Sequence, residues 1–287
     1  MAVLAAVVLG TILGLVYATL GVGFSLTWGT LDLINVSHAA FAVLAAYLGY
    51  FADASYGVDP VLSLVGIVPA FFIIGITLQE GLFRPLARRA NEVAFASLVL
   101  TFGLAIILEN LMMVLFSADP RLLKTSYTSG PVDIFGVPVT GGRLVGAGLA
   151  VLTLVVLYVF LTRTYTGRAV RAVAQDADGA ALSGINERRV SAITFGLGLA
   201  TAGIAGVAAS MYFPFAPSEH YAWLISVFLV TILGGVGSII GAGIAGLVTG
   251  IVFELSALIV PFVWVRFVLF VLLIGLLVVR PEGIFQG

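Results

Sequence analysis

The sequence contains no cysteine, one lysine and two histidines among its 287 residues. The absence of cysteine excludes disulfides, thiolate catalysis and cysteine metal sites. His38 and His220 are too far apart in the sequence to form a metal-binding motif. The Gly-Lys-Ser/Thr signature of a phosphate-binding loop is also missing, so the chain cannot hydrolyse ATP by that route. We therefore expect neither a metal ion nor another cofactor.

Charged residues are scarce as well. They make up 9% of the chain, whereas soluble domains average about 25%. Hydrophobic residues reach 61% and the mean hydropathy is +1.19. A soluble fold of this size could not bury so much apolar surface, so the composition predicts an all-α polytopic bundle of transmembrane helices. The net charge of −1 identifies no partner, and we expect no nucleic acid.

Spans of about 20 apolar residues can be placed at nine positions, with eight to ten spans still open. Because Met1–Leu20 has no basic residue in front of it, it is interpreted as a retained first span rather than a signal peptide. Segment 25–35 is ambiguous and is interpreted as a re-entrant or broken helix. No linker divides the chain, which is predicted to be one domain, 1–287. The candidate spans are roughly 2–24, 36–52, 61–80, 93–117, 143–162, 191–213, 222–236, 238–259 and 261–279.

Positive charge orients these spans, because cytoplasmic loops carry an excess of Lys and Arg. In a nine-span topology the opposite side receives only Arg121, Lys124, Arg143 and Arg266. This imbalance predicts an outer N-terminus and an inner C-terminus. It also predicts an outer loop at 118–142 with a short hairpin around 134–139. The nine inner residues are Arg84, Arg88, Arg89, Arg163, Arg168, Arg171, Arg188, Arg189 and Arg280.

The inner loop at 163–190 is longer than a connection between two spans requires. Its apolar residues Ala169, Val173 and Leu182 alternate with charged ones at helical spacing. An amphipathic helix on the cytoplasmic face would present such a surface to a partner, and a solvated loop with ordinary cytoplasmic arginines is the alternative. Two glycine pairs, Gly237/Gly241 and Gly246/Gly250, permit close helix approach, at a subunit or gate interface or within this chain.

The same loop carries a specific motif. Residues 167–186 read Gly-Arg-Ala-x-Arg-Ala-x-Ala-Gln-Asp-x-x-x-Ala-x-Leu-x-Gly-Ile-Asn. This resembles the signature of LivH-type permeases, the membrane subunits of bacterial branched-chain amino acid ABC importers. Stretches 14–21, 33–39, 84–86, 233–238 and 280–285 are similar to further motifs of that family, in the same order. Ser37 and Ala39 depart from the usual Ala and Gly, which puts the geometry near His38 in doubt.

The resemblance implies a transport subunit, not an enzyme, in the bacterial inner membrane. Two cytosolic ATPase subunits would supply energy, a periplasmic or extracellular binding protein would deliver substrate, and a second related permease would complete a heterodimeric pore. The substrate would be a small amino acid, foremost a branched-chain one, with urea or short amides as the alternative. A secondary transporter or channel, or an intramembrane enzyme, fits the loop less well. The residues of the implied coupling helix are Gly167, Arg168, Arg171, Ala174, Gln175, Asp176, Ala181, Leu182 and Gly184.

Four polar residues at membrane depth are candidates for the substrate pathway, because such residues are costly in lipid and face protein or water. Asn35 and His38 would share a face if a helix resumes there, or they would satisfy the backbone of a broken helix. Glu109 and Glu254 would contact a substrate ammonium group, pair with a partner subunit, or be protonated and hydrogen-bonded within the chain.

Overall fold

The computed structural model describes residues 1–124 and 130–279. Arg280, which contributed to the charge count, and the motif at 280–285 lie outside these residues. The described chain forms a helical bundle with one β-hairpin. Its helices are α1 (Ala2–Leu31), α2 (His38–Tyr56), α3 (Pro60–Leu78), α4 (Arg84–Ala87), α5 (Val93–Phe116), α6 (Gly141–Arg163), α7 (Tyr165–Gln175), α8 (Ala177–Leu182), α9 (Glu187–Ser210), α10 (His220–Gly234), α11 (Ile239–Ser256) and α12 (Phe262–Val279).

Seven helices in the described part of the chain are long and apolar enough to cross a membrane, α3 being counted together with the π-helical turn Gln79–Phe83 and α4. The remaining predicted spans correspond to α2 and to α10, which has only 15 residues. The prediction of a polytopic helical membrane protein is confirmed, whereas the count of nine spans stays a prediction.

Helices α1 and α9 form the centre of the bundle. In α9, 83% of the most apolar 18-residue stretch is buried within the chain. Helix α1 crosses α11 in antiparallel fashion, with Gly10 against Gly250 and Gly14 against Gly246. A Cβ atom added to Gly14 would lie 2.6 Å from the Cα of Leu247, so glycine is what lets the two backbones meet. The pair Gly246/Gly250 therefore packs α11 on α1 within this chain.

The first irregular segment lies further along the chain than predicted. Helix α1 continues through Leu31 and ends at Asp32, which has a left-handed conformation with φ 51°. The irregular backbone covers 32–37, and α2 starts at His38 beside the middle of α1. The chain thus turns back into the bundle before α2 begins, as the re-entrant interpretation of 25–35 requires, but with later boundaries.

The predicted boundaries between the last three candidate spans, 222–236, 238–259 and 261–279, are confirmed. Helix α10 ends at Gly234 and α11 begins at Ile239, after a turn in which Gly235 and Gly237 have φ of 80° and 84°. Helix α12 begins just after Pro261. The pair Gly237/Gly241 is not one helical motif, because Gly237 lies in the turn and packs on Gly29, whereas Gly241 packs on Gly234.

A hairpin lies at the opposite end of the bundle from α7 and α8. Strands β1 (Pro131–Ile134) and β2 (Val137–Thr140) pair antiparallel. Phe135 and Gly136 have φ of 54° and 80°, as tight hairpin turns require. The predicted hairpin is confirmed. Nearby, Arg121 exchanges two backbone hydrogen bonds of 2.8 Å with Phe215, and the hydrogen bond from its guanidinium to the Tyr50 hydroxyl raises its pKa.

Candidate functional site

The loop between α6 and α9 forms two short helices, α7 and α8, rather than one. Each helix start is capped by a side chain: Thr164 accepts from the Gly167 N–H at 3.0 Å, and Asp176 accepts from the Gly179 N–H at 3.0 Å. Gly184, with φ 80°, follows the end of α8, and Asn186 caps α9 by accepting from the Arg189 N–H. The caps and the left-handed glycine explain why the motif needs Asp, Gly and Asn at these spacings.

The apolar side of α7 faces this chain's own bundle, which corrects the prediction that it would face a partner. Ala169 and Val173 are buried, with 6% and 5% of their surface exposed. Gly167 lies directly against the backbone of Phe160 and Leu161 in α6, so α7 is fastened to the preceding helix. A helix lying on the bundle buries its apolar stripe there, and a sequence pattern cannot say which surface covers it.

What stays open on this surface is the other side of α7 and most of α8. Leu182 is the main apolar residue there, with 91% of its surface exposed. Of the residues implied as coupling contacts, only Gly167 is buried, and the others are exposed: Arg168, Arg171, Ala174, Gln175, Asp176, Ala181, Leu182 and Gly184. We call this set the α7–α8 surface.

A cavity of about 830 Å³ borders the α7–α8 surface. Its walls come from the end of α1 around Asp32, from the turn at Glu80, from Ala174 and from the start of α9. Glu80 accepts from Arg188 Nε at 2.9 and 3.0 Å and from Arg84 at 3.0 Å. Because these side chains are exposed to solvent, the pairs add little to stability. Their effect is to tie α3 to α9 beside the cavity.

The re-entrant segment 32–37 is held by two hydroxyl side chains of α5 that sequence reasoning missed. Ser97 accepts from the Ile34 N–H at 3.0 Å. Thr101 accepts from the Val36 N–H at 2.9 Å. Its single hydroxyl proton lies between the Ser97 carbonyl of α5 at 2.8 Å and the Ile34 carbonyl at 3.0 Å. Irregular backbone at membrane depth requires such partners. The detectable signal was a Ser and a Thr four residues apart in an apolar span.

Asn35 and His38 are both fully buried next to this segment. Helix α2 starts at His38 and not at Asn35, so the two residues do not share a helical face. The His38 Nε2 lies 3.1 Å from the Leu20 carbonyl, which can only accept. The Asn35 side chain accepts from Ser37 at 2.6 Å. These bonds fit the interpretation that both residues support the broken backbone, and a pathway role stays a prediction.

The two membrane-depth acids pair within the chain. Glu109 lies 3.2 Å from His220 Nε2 and accepts from the Tyr221 hydroxyl at 2.8 Å, so it joins α5 to α10. The Tyr212 hydroxyl lies 3.1 Å from both the Glu254 carboxylate and the Leu9 carbonyl, which share its proton. Both carboxyl groups remain partly exposed, and their role in a substrate pathway stays a prediction.

A second, smaller cavity of about 220 Å³ lies at the end of the bundle away from α7 and α8. Phe213, Phe253 and Phe262 line it, with ring centroids 5.8 to 6.3 Å apart. Glu219 and Arg266, which also line it, form an ion pair of 2.7 Å. Arg266 thus lies at the end that the charge pattern assigned to the outside.

The bundle of apolar helices with a polar two-helix surface at one end is that of a multi-pass membrane protein. The family model "Branched-chain amino acid transport system / permease component" matches residues 6–277, so this chain belongs to that permease family. The family consists of transport subunits of the inner membrane, and the resemblance noted in the sequence is confirmed.

Individual members of this family are similar to this chain along nearly its whole length. The high-affinity branched-chain amino acid permease protein LivH of Escherichia coli is 31% identical over 96% of this chain and 92% of its own length. The corresponding BraD of Pseudomonas aeruginosa is 30% identical over 96% and 93%. A probable LivH of Methanocaldococcus jannaschii is 26% identical over 92% and 87%. No solved structure shows a significant match.

Proposed function

We propose that this chain is one of two membrane-spanning subunits of an ATP-driven importer of branched-chain amino acids. The substrate follows from its relatives, which are named for branched-chain amino acids, a finding that favours this substrate over urea or short amides. The second subunit is a related permease, and the pore lies between the two.

The ATPase subunits bind the α7–α8 surface. The observation that carries this step is Leu182, a large apolar side chain with 91% of its surface exposed in a segment between spans. Small residues beside it, Ala174 and Ala181, leave room for a partner's side chains. The arginines and Asp178 form the rim of this contact. Charges at a rim change the rate of association more than the affinity of the complex. Because the sequence has no phosphate-binding loop, ATP is hydrolysed in the partner subunits.

A binding protein delivers substrate at the opposite end of the bundle, where the hairpin and the Phe213 cavity lie. Proposed pathway residues are Asn35, His38, Glu109 and Glu254. The membrane-depth acids Glu109 and Glu254 offer carboxylates for a substrate ammonium group, while apolar walls suit a branched side chain. The whole chain acts as one permease domain.

The test uses the complete transporter, purified with its ATPase and second permease and reconstituted into liposomes. Replacement of Ala181 by Arg is expected to lower the amount of co-purified ATPase and the ATP-driven uptake of radiolabelled leucine, because a bulky charge enters the docking surface. Replacement of Ala54 by Arg is the matched control for ATPase recovery, since Ala54 is an exposed alanine at the other end of the bundle, away from the α7–α8 surface.

Asp178→Ala is expected to do less than Ala181→Arg, because an exposed ion pair is worth about 0–1 kcal/mol. Leucine uptake by this chain alone, without ATPase subunits, would identify it as a secondary transporter instead. Full assembly and uptake in Ala181→Arg would show that the α7–α8 surface is only solvated.

A further inference from the structure

Helix α5 is attached to the rest of this chain along one narrow stripe. Only 22% of its most apolar 18-residue stretch is buried within the chain. Its buried residues recur every three or four positions, so they share one side of the helix. Leu100 and Leu104, beside this stripe, are partly buried against the same core, and the side opposite the stripe is partly or fully exposed. The stripe consists of Ser97, Thr101, Ala105, Leu108 and Met112.

The opposite side of α5 carries a seven-residue repeat. Ala96, Gly103 and Asn110 are spaced by seven, and so are Val99, Ile106 and Met113. We call these six residues the α5 face. Residues spaced by seven lie on one side of a helix. A side that combines small residues and an Asn with apolar residues at this spacing is typical of a helix that packs on another helix. A side that meets only lipid has no need for an amide.

Two side-chain observations support a protein neighbour. A Cβ atom added to Gly103 would meet nothing within 4 Å, so this glycine is not needed for packing within the chain. Asn110 is exposed at membrane depth, and its amide donates only to the carbonyl of Ile106 in its own helix, at 2.8 Å. An amide facing hydrocarbon is costly, so protein or a water path must cover it.

The residues outside the described structure are too few to supply this neighbour. The residues that the structure leaves out, 125–129 and 280–287, number five and eight, whereas a membrane span needs about 20. The face is also large enough for a subunit contact. Half of the lateral surface of this 24-residue helix, about 36 Å long and 10 Å wide, is roughly 550 Å². Two such faces would bury about 1,100 Å² in total, which exceeds the total of about 1,000 Å² expected of a specific interface.

We propose that the α5 face is the contact with the second permease subunit, whose corresponding helix runs parallel to α5. This inference rests on the proposed function, which requires a second related permease. Two related subunits of the same topology are paired by an axis along the membrane normal, so corresponding helices run in the same direction. Gly103 lets the two helix backbones approach closely. The Asn110 amide forms a hydrogen bond with a polar group of the second permease.

The contact also reaches the re-entrant segment. Ser97 and Thr101 hold residues 32–37 from one side of α5, while the second subunit packs on the other side. Glu109 directly precedes Asn110 of the α5 face and accepts a hydrogen bond from the exposed Tyr221. The Glu109 carboxylate therefore borders the subunit contact. A shift of α5 between subunits therefore moves the backbone beside Asn35 and His38.

The first test places a photoreactive benzoylphenylalanine at Ile106 in the complete, co-expressed transporter. Irradiation is expected to give an adduct with the second permease, identified by the partner's peptides in mass spectrometry. The matched control is Val155, an open valine on the outward side of α6, which is expected to give no such adduct. An adduct between two copies of this chain, or none from Ile106, would overturn the proposal.

The second test compares two glycines that both face open space. Gly103→Leu is expected to reduce the second permease recovered with this chain by about tenfold or more, the effect of about 1.4 kcal/mol of lost affinity. Gly148→Leu, on α6, is expected to leave recovery unchanged. Leucine uptake by the unsubstituted transporter is measured in parallel. Its absence would contradict the proposed function, whereas normal uptake and unchanged recovery with Gly103→Leu would contradict only the α5 contact.

Discussion

Thr101 supports the re-entrant segment more than any other side chain in the described structure, and its replacement by Val tests that role. Valine has nearly the same shape, so the fully buried site keeps its packing while the hydroxyl is lost. The Val36 N–H then loses its acceptor at 2.9 Å. The Ile34 carbonyl loses only a share of the hydroxyl proton, because the Ser97 carbonyl of α5 is the closer acceptor at 2.8 Å.

The magnitude follows from the Val36 amide. A buried polar group left without a partner costs about 1–3 kcal/mol, so Thr101→Val is expected to lower the free energy of unfolding by about 1–3 kcal/mol. Ser97→Ala leaves one amide without a partner and is expected to cost about 1–3 kcal/mol by the same reasoning.

The assay is equilibrium unfolding in detergent micelles, with the thermal midpoint as a second measure. Thr249→Val is the matched control, because Thr249 is also buried but its hydroxyl donates to the Ala245 carbonyl of its own helix at 2.7 Å. That carbonyl keeps a backbone partner, so the control is expected to cost less than about 1 kcal/mol. Equal losses in Thr101→Val and Thr249→Val would refute the view that α5 holds the re-entrant segment.

Two further predictions concern topology and packing. In this cysteine-free chain, Tyr56→Cys is expected to react with an impermeant thiol reagent in intact cells, and Asp178→Cys only after the membrane is opened; the reverse labelling would overturn the orientation. Gly246→Leu is expected to abolish the folded, detergent-soluble protein, because a Cβ atom there would lie 2.5 Å from Ala18. Gly243→Leu, one turn away and facing open space, is expected to fold normally, and size-exclusion chromatography distinguishes the two.

Local sequence signals predicted most of the helices. Long apolar runs, the turn at 234–238, Pro261 and the hairpin at 134–139 each depend on the chemistry of a few neighbouring residues, and each is found where the pattern indicated. The boundary of α1 was wrong because apolar and polar residues alternate in 25–35 without a strong helix breaker. Contacts with α9 and α11 decide how far that helix continues.

The candidate site was harder to predict, because its residue types were visible but their neighbours were not. The motif at 167–186 showed that the inner loop was special, and its resemblance to a permease family was confirmed. The pattern could not show that Ala169 and Val173 cover this chain's own bundle while Leu182 stays open. Amphipathic spacing identifies an apolar side and leaves its partner undetermined.

The sequence by itself determined the class of the protein, because solvation of about 20 apolar residues is a local property of each span. Family membership was likewise readable from short motifs. Only the tertiary structure decided how the polar groups at membrane depth are satisfied. Glu109 meets His220 across 111 positions of the chain, and Ser97 meets Ile34 across 63. Such pairs arise from helix packing, in which residues distant in sequence are brought within hydrogen-bond range.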